Sequence, residues 1–216
     1  PDPGISGKSA IVTGGSRGLG LLLIAEALLS FAPVAILGAA IGWPASLDKP
    51  AAEQLAAIAA APQGVTLGYG VYLLYSVLVA PVMIGLAARV GGGLQQPLAA
   101  TVAAFGVLSA LARAIGILRW LTVMPLLAGA HAASDVATRA QIALVFDAVH
   151  TYGGGIGEIL GVSVFMALSV GLLSAAALAR RQVPAWLGML GVVAAAMLGA
   201  LAVPAFGGPE FMPVAA

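Results

Sequence analysis

No cysteine occurs in this chain, so disulfides, thiolate metal sites and cysteine nucleophiles are all excluded. The redox compartment stays open on that count. Charge is the next shortage. Nine basic and eight acidic side chains make up 8% of the 216 residues, where a soluble domain carries about 25%. So few charges cannot furnish the polar surface of a soluble globule. The net charge of +1 gives no general attraction to nucleic acid. Only two histidines are present, His131 and His150, so a typical zinc site would need nearly every available ligand at once. No Walker loop occurs, and no serine sits in a nucleophile elbow.

What the chain does have is apolar residues, 61% of the total. Such a composition fits a helical membrane protein, whose outer surface faces lipid. The expected fold is all-α, a transmembrane bundle of about five spans, residues 19–216, behind a short leader, residues 1–18. About 20 apolar residues cross a hydrocarbon core. Runs of that kind lie near 19–41, 65–88, from 98 onward, 156–179 and 184–203. The third continues to Ala130, too long for one straight crossing, and Pro125 is expected to bend its end. Between the first two runs, Asp48-Lys49-Pro50 starts a short helix that Pro62 ends, expected along the membrane surface. Tyr69, Tyr72 and Tyr75 share one helix face, as an aromatic belt or as core.

Lys and Arg placement sets the expected topology. With the N-terminus cytoplasmic, Lys8, Arg17, Arg89, Arg180 and Arg181 lie inside and Lys49, Arg119 and Arg139 outside. Seven arginines against two lysines, with abundant Ala and Gly, hint at a GC-rich bacterial genome and hence a bacterial inner membrane. The start at Pro1 without Met and the apolar end at PVAA read as a piece of something longer.

The leader differs from everything after it. Ser9–Val12 is β-like, and Thr13, Gly14, Gly18 and Gly20 fit T-G-x-x-x-G-x-G. Residues 7–30 thereby resemble the cofactor loop of short-chain dehydrogenases/reductases, in which glycines let the backbone approach a dinucleotide pyrophosphate at a helix N-terminus. The rest of that pattern is missing. Val34–Ala40 holds no acidic ribose ligand, and no Tyr-x-x-x-Lys follows Tyr69, Tyr72, Tyr75 or Tyr152. The expectation is a leader without dinucleotide binding, and no cofactor is expected elsewhere.

The chemistry-bearing stretch is Asp147–Gly161. If its helix is continuous, Asp147, His150, Gly154, Glu158 and Gly161 form one polar and small-residue stripe. Gly153, Gly157 and Gly161 allow close helix packing, within the chain or in a homo-oligomer. Arg113 lies deep in the third span and needs a carboxylate or a route to water. Its expected partner is Glu158, or else Asp147. Arg119 beside Trp120 reads as an interface anchor, and Glu26 as a headgroup-reaching or paired residue near a helix end. Three readings are open: a structural polar cluster, a small-solute or proton pathway using Glu158 and His150, and a metal-dependent hydrolase using Asp147, His150 and His131-x-x-x-Asp135. The polar-cluster candidates are Arg113, Asp147, His150 and Glu158.

IGWPASLDKPAAEQLAAI after the first span, Arg113 in the third, HTYGGGIGEILG before the fourth and VPAWLGMLG in the fifth occur in an order that resembles an uncharacterised bacterial multi-pass membrane family, a domain of unknown function. The resemblance implies an all-helical inner-membrane protein and carries no activity.

Overall fold

The structure, a computed structural model, describes residues 4–209, with side chains from Arg17 onward. Every regular element among them is helical: α1 (Gly4–Ile41), α2 (Ala51–Ala60), α3 (Pro62–Gly91), α4 (Pro97–Leu121), α5 (Val123–Ala133), α6 (Val136–Gly154), a π-helical segment (Gly155–Phe165), α7 (Met166–Ala179) and α8 (Ala185–Ala200), with short 3-10 turns at Ala45–Asp48 and Val203–Phe206. Pro62 and Pro97 sit at helix starts, where a missing N–H costs nothing. Gly92, at φ 81°, ends α3 in the left-handed conformation that favours glycine. Asp135 caps α6 by accepting from the Thr138 N–H at 2.8 Å.

Among the described residues, four helices are long and apolar enough to cross a membrane: Arg17–Ile41, Pro62–Gly91, Pro97–Ala133 and Val136–Ala179. The fifth expected span, α8, has 16 residues, about 24 Å of helix by rise against a core of about 30 Å. The result is a helical bundle with one short member. The break in the third span lies at Thr122 (φ −121°, ψ −71°). Pro125 has no N–H to donate to Leu121, four residues back, and its ring crowds that carbonyl, so α4 ends at Leu121.

One expectation needs correction here. The β-like run Ser9–Val12 and the glycine turn through Gly14, Gly18 and Gly20 are helical, because α1 runs unbroken from Gly4. Helical amides donate to their own i−4 carbonyls and form no phosphate cradle. α2 has one buried face. Leu55 and Ile58 are buried with Tyr69, Trp120, Met124 and Phe146 in a core that closes one end of the bundle, while Val79, Met83, Val102 and Ala110 fill the other end. Tyr69 and Trp120 stack at 4.6 Å within the first core.

α4 lies at the centre, against α3 on one side and the π segment and α7 on the other. Glycines set that second contact. A Cβ on Gly116 would come 2.7 Å from the Cα of Gly157, and one on Gly161 would come 2.7 Å from Cγ of Arg113. Ser109 and Ser169 stitch the seam, their hydroxyls donating to the carbonyls of Gly161 and Val102 at 2.7 Å each.

Candidate functional site

The stripe expected along Asp147–Gly161 does not survive as one face. The helix is continuous, but from Gly155 to Phe165 it is π-helical, a rare geometry often found at functional sites. A π turn holds more residues than an α turn, so Glu158 and the residues after it are rotated away from the line through Asp147 and His150. Asp147 is exposed. His150 is half-buried, its ring edge-on to Trp120 at 5.6 Å and stacked on Phe146 at 5.7 Å. Its Nδ1 is buried without a partner.

The Arg113–Glu158 pair is not formed. Glu158 instead faces Arg119, with Oε1 4.0 Å from Nη2, and among the described residues no carboxylate lies within ion-pair distance of Arg113. Helix direction explains the exchange. Cα–Cβ bonds tilt toward a helix N-terminus, and α4 runs antiparallel to the π segment. The Arg119 side chain therefore leans back toward Gly116, and Glu158 leans toward Gly154, so the two converge. Arg113 leans the other way. Its stem lies on Gly161 and its Cζ sits 4.6 Å from the centroid of the Tyr75 ring, a cation–π contact. Arg119 crosses Gly153, where a Cβ would meet its Cδ at 2.6 Å; it is no interface anchor.

Both arginines are more than nine-tenths buried, 6% and 8% exposed, and each has an Nε with no hydrogen-bond partner. They line one cavity of about 460 Å³ together with Tyr69, Tyr72, Gly157 and Glu158. The Tyr69 hydroxyl is buried and unpartnered. Arg113, Arg119 and Glu158 are the charged groups on this wall, so its balance is one positive charge. Glu158 is 67% exposed. A second cavity of about 370 Å³ shares Trp43, Tyr72, Arg113 and Val162 with the first.

Sequence reasoning placed Arg113 and Glu158 in this region and missed Arg119 and Tyr69 as members. The signal for Arg119 was present, since Cβ direction in an antiparallel pair favours it. Glu26 lies within α1, and both its oxygens are buried with no hydrogen-bond partner among the described residues. Among the described residues no three His, Asp or Glu side chains gather at metal-binding distance. Asp135 is engaged as the α6 cap, and the Thr138 N–H holds its carboxyl below the usual carboxylate range.

A family model described as Domain of unknown function (DUF4386) matches residues 19–215. That match begins at Leu19, so of the dehydrogenase-like glycines it takes in Gly20 alone, and nothing in it supports the dehydrogenase resemblance. No curated protein matches the chain, and no solved structure does.

Proposed function

We propose, for a chain that belongs to the DUF4386 family of unknown function, that the protein binds a small anion inside the membrane, in the cavity between α3, α4 and the π segment. One observation carries this reading: two arginines more than nine-tenths buried share a cavity with a single carboxylate, and the Nε of each is unpartnered. A buried guanidinium is costly without a partner, and planar, forked donors of this kind match carboxylate and phosphate groups. The cavity lies within the size range of small-molecule sites, roughly 300–1,000 Å³. An incoming anion competes with Glu158 for Arg119, so Glu158 acts as a tethered stand-in that swings toward water on binding. That arrangement suits a solute pathway better than a purely structural ion pair, because the carboxylate arm is mostly exposed.

The protein works in a bacterial inner membrane with its N-terminus cytoplasmic. Arg180 donates to the carbonyl of Val90 at 3.0 Å, so Arg89, Arg180 and Arg181 share one end of the bundle, in keeping with a positive inner face. The binding cavity then opens toward the outer half of the membrane.

The test is thermal unfolding of the purified protein against a panel of small carboxylates, phosphates, neutral analogues and amines. A true ligand at a hundred times its Kd stabilises by about 2.7 kcal/mol. Anions should raise the melting temperature of the wild type and leave Arg113→Gln unmoved. Equal stabilisation by neutral or cationic analogues, or no response to any anion, would end this reading.

A further inference from the structure

The second cavity narrows the ligand class. Apart from Arg113, which it shares with the first, its wall is nearly all apolar: Pro33 and Val34 from α1, Tyr75 from α3, Met166 from α7 and Leu198 from α8, with Ser30 as a small polar exception. The two cavities share Trp43, Tyr72, Arg113 and Val162 on their walls. The first is cationic and carries unpartnered donors, and the second has no charged lining residue besides Arg113.

The wall is also built from helices that lean on different neighbours. α1 packs on α3, whereas α8 packs on α7. The second cavity lies in the crevice between α1 and α8, and Val34 at its edge is 47% exposed. On a transmembrane bundle, that edge faces acyl chains. A molecule can therefore enter sideways from the lipid phase without first crossing water.

Resting on the anion-binding reading above, we infer that the ligand is a single-chain anionic amphiphile with a carboxylate head. The head is held by Arg113 and Arg119, and the alkyl chain lies in the crevice between α1 and α8. Volume argues for one chain. A methylene fills roughly the volume of a liquid water, about 30 Å³, so 370 Å³ holds about twelve of them. A second chain of the same length would need about twice that volume. The forked geometry of a guanidinium matches a carboxylate in two parallel hydrogen bonds, and the Nε of Arg113, now orphaned, supplies one donor of such a pair.

The experiment uses the full chain in nanodiscs of phosphatidylcholine, carrying Trp186→Phe. The two remaining tryptophans then both line the first cavity, and Trp43 also lines the second. The probe is 12-bromododecanoate, which quenches tryptophan on contact, with butanoate binding followed in parallel by thermal shift. Saturable quenching is expected, competed by dodecanoate, lost in Arg113→Gln, and weakened roughly tenfold, equivalent to 1.4 kcal/mol, in Leu198→Phe. Butanoate stabilisation should persist in Leu198→Phe, and that persistence also reports an intact fold. Met166→Phe, a second filling of the same crevice, should weaken the probe in the same direction.

Butanoate and dodecanoate binding alike, with Leu198→Phe and Met166→Phe both without effect, would overturn the chain site while the anion-binding reading stands. Failure of every anion would overturn both. Competition by dodecanol or dodecyltrimethylammonium as strong as by dodecanoate would remove the role of the arginine head site. Arg113-dependent competition by phosphatidylglycerol without any by dodecanoate would overturn the single-chain assignment in favour of a lipid phosphate.

Discussion

Gly116→Ala is the sharpest perturbation of the seam that builds the cavity. The new Cβ would lie 2.7 Å from Cα of Gly157 and 2.9 Å from the Gly153 carbonyl oxygen. Both obstacles are backbone, so no side-chain rotation relieves the overlap, and α4 must move away from the π segment. Overpacking of this kind costs typically 1–3 kcal/mol. Against it stands the gain of about 1 kcal/mol for replacing glycine by alanine within a helix. The net expectation is destabilisation by up to about 2 kcal/mol. The same substitution at Gly129 in α5 meets nothing within 4 Å, so only the propensity term acts and the variant should gain up to about 1 kcal/mol. The assay is the midpoint of thermal loss of the monodisperse peak in detergent, wild type and both variants side by side. Gly116→Ala should melt lower than wild type and Gly129→Ala higher. A Gly116→Ala protein as stable as Gly129→Ala would mean that α4 and the π segment are not in contact at Gly116 and Gly157, and the cavity geometry would fall with that contact.

Other consequences can be checked more simply. Ser109→Ala removes the 2.7 Å bond to the Gly161 carbonyl and should cost about 0.6 kcal/mol, as such bonds do between membrane helices, visible as a small drop in the same melting midpoint; a stabilised variant would contradict the seam. Exchanging charges between Arg119 and Glu158 should restore folded yield lost in either single reversal, whereas an Arg113/Glu158 exchange should not. The Asp135 carboxyl is held below its ordinary value by the Thr138 N–H, so its contribution is complete at neutral pH and down through the ordinary aspartate range near 4. It disappears only as pH falls through the depressed folded value, because protonation removes the acceptor. Protection of the Thr138 amide, its exchange relative to a free peptide at the same pH, should therefore persist to about pH 4 and fall below it, and Asp135→Ala should lack that protection at every pH. For topology, Ser46 is a poor reporter because it is 5% exposed. Lys49, whose side chain is 57% exposed, should label as cysteine from the outside while a cysteine at Ser16 labels from the inside.

The class of protein and its helical fold were legible in composition and run length. Few charges and long apolar runs leave a chain no soluble solution, and backbone groups in lipid must be satisfied within each helix. The proline and glycine punctuation was legible as well. Pro62 and Pro125 act on the backbone within four residues of themselves, so their effect needs no knowledge of the rest of the fold. The glycine spacing at 153, 157 and 161 announced a close helix contact for the same local reason.

What the glycines meet is a different kind of fact. Gly157 against Gly116 and Gly161 against the stem of Arg113 fix how far α4 slides along its partner, and a slide of about 9 Å, six residues of helical rise, would exchange which arginine lies level with Glu158. One-dimensional spacing holds no information on that slide. Nor does it show that Gly155–Phe165 winds as a π-helix and turns Glu158 off the line through Asp147 and His150. The apolar, small-residue sequence and its membrane-spanning helices follow from transfer energies that each residue carries alone. The pairing of Arg119 with Glu158, the separation of Arg113 from that carboxylate and the cavity between them follow from register, rotation and side-chain direction, which only packed helices possess.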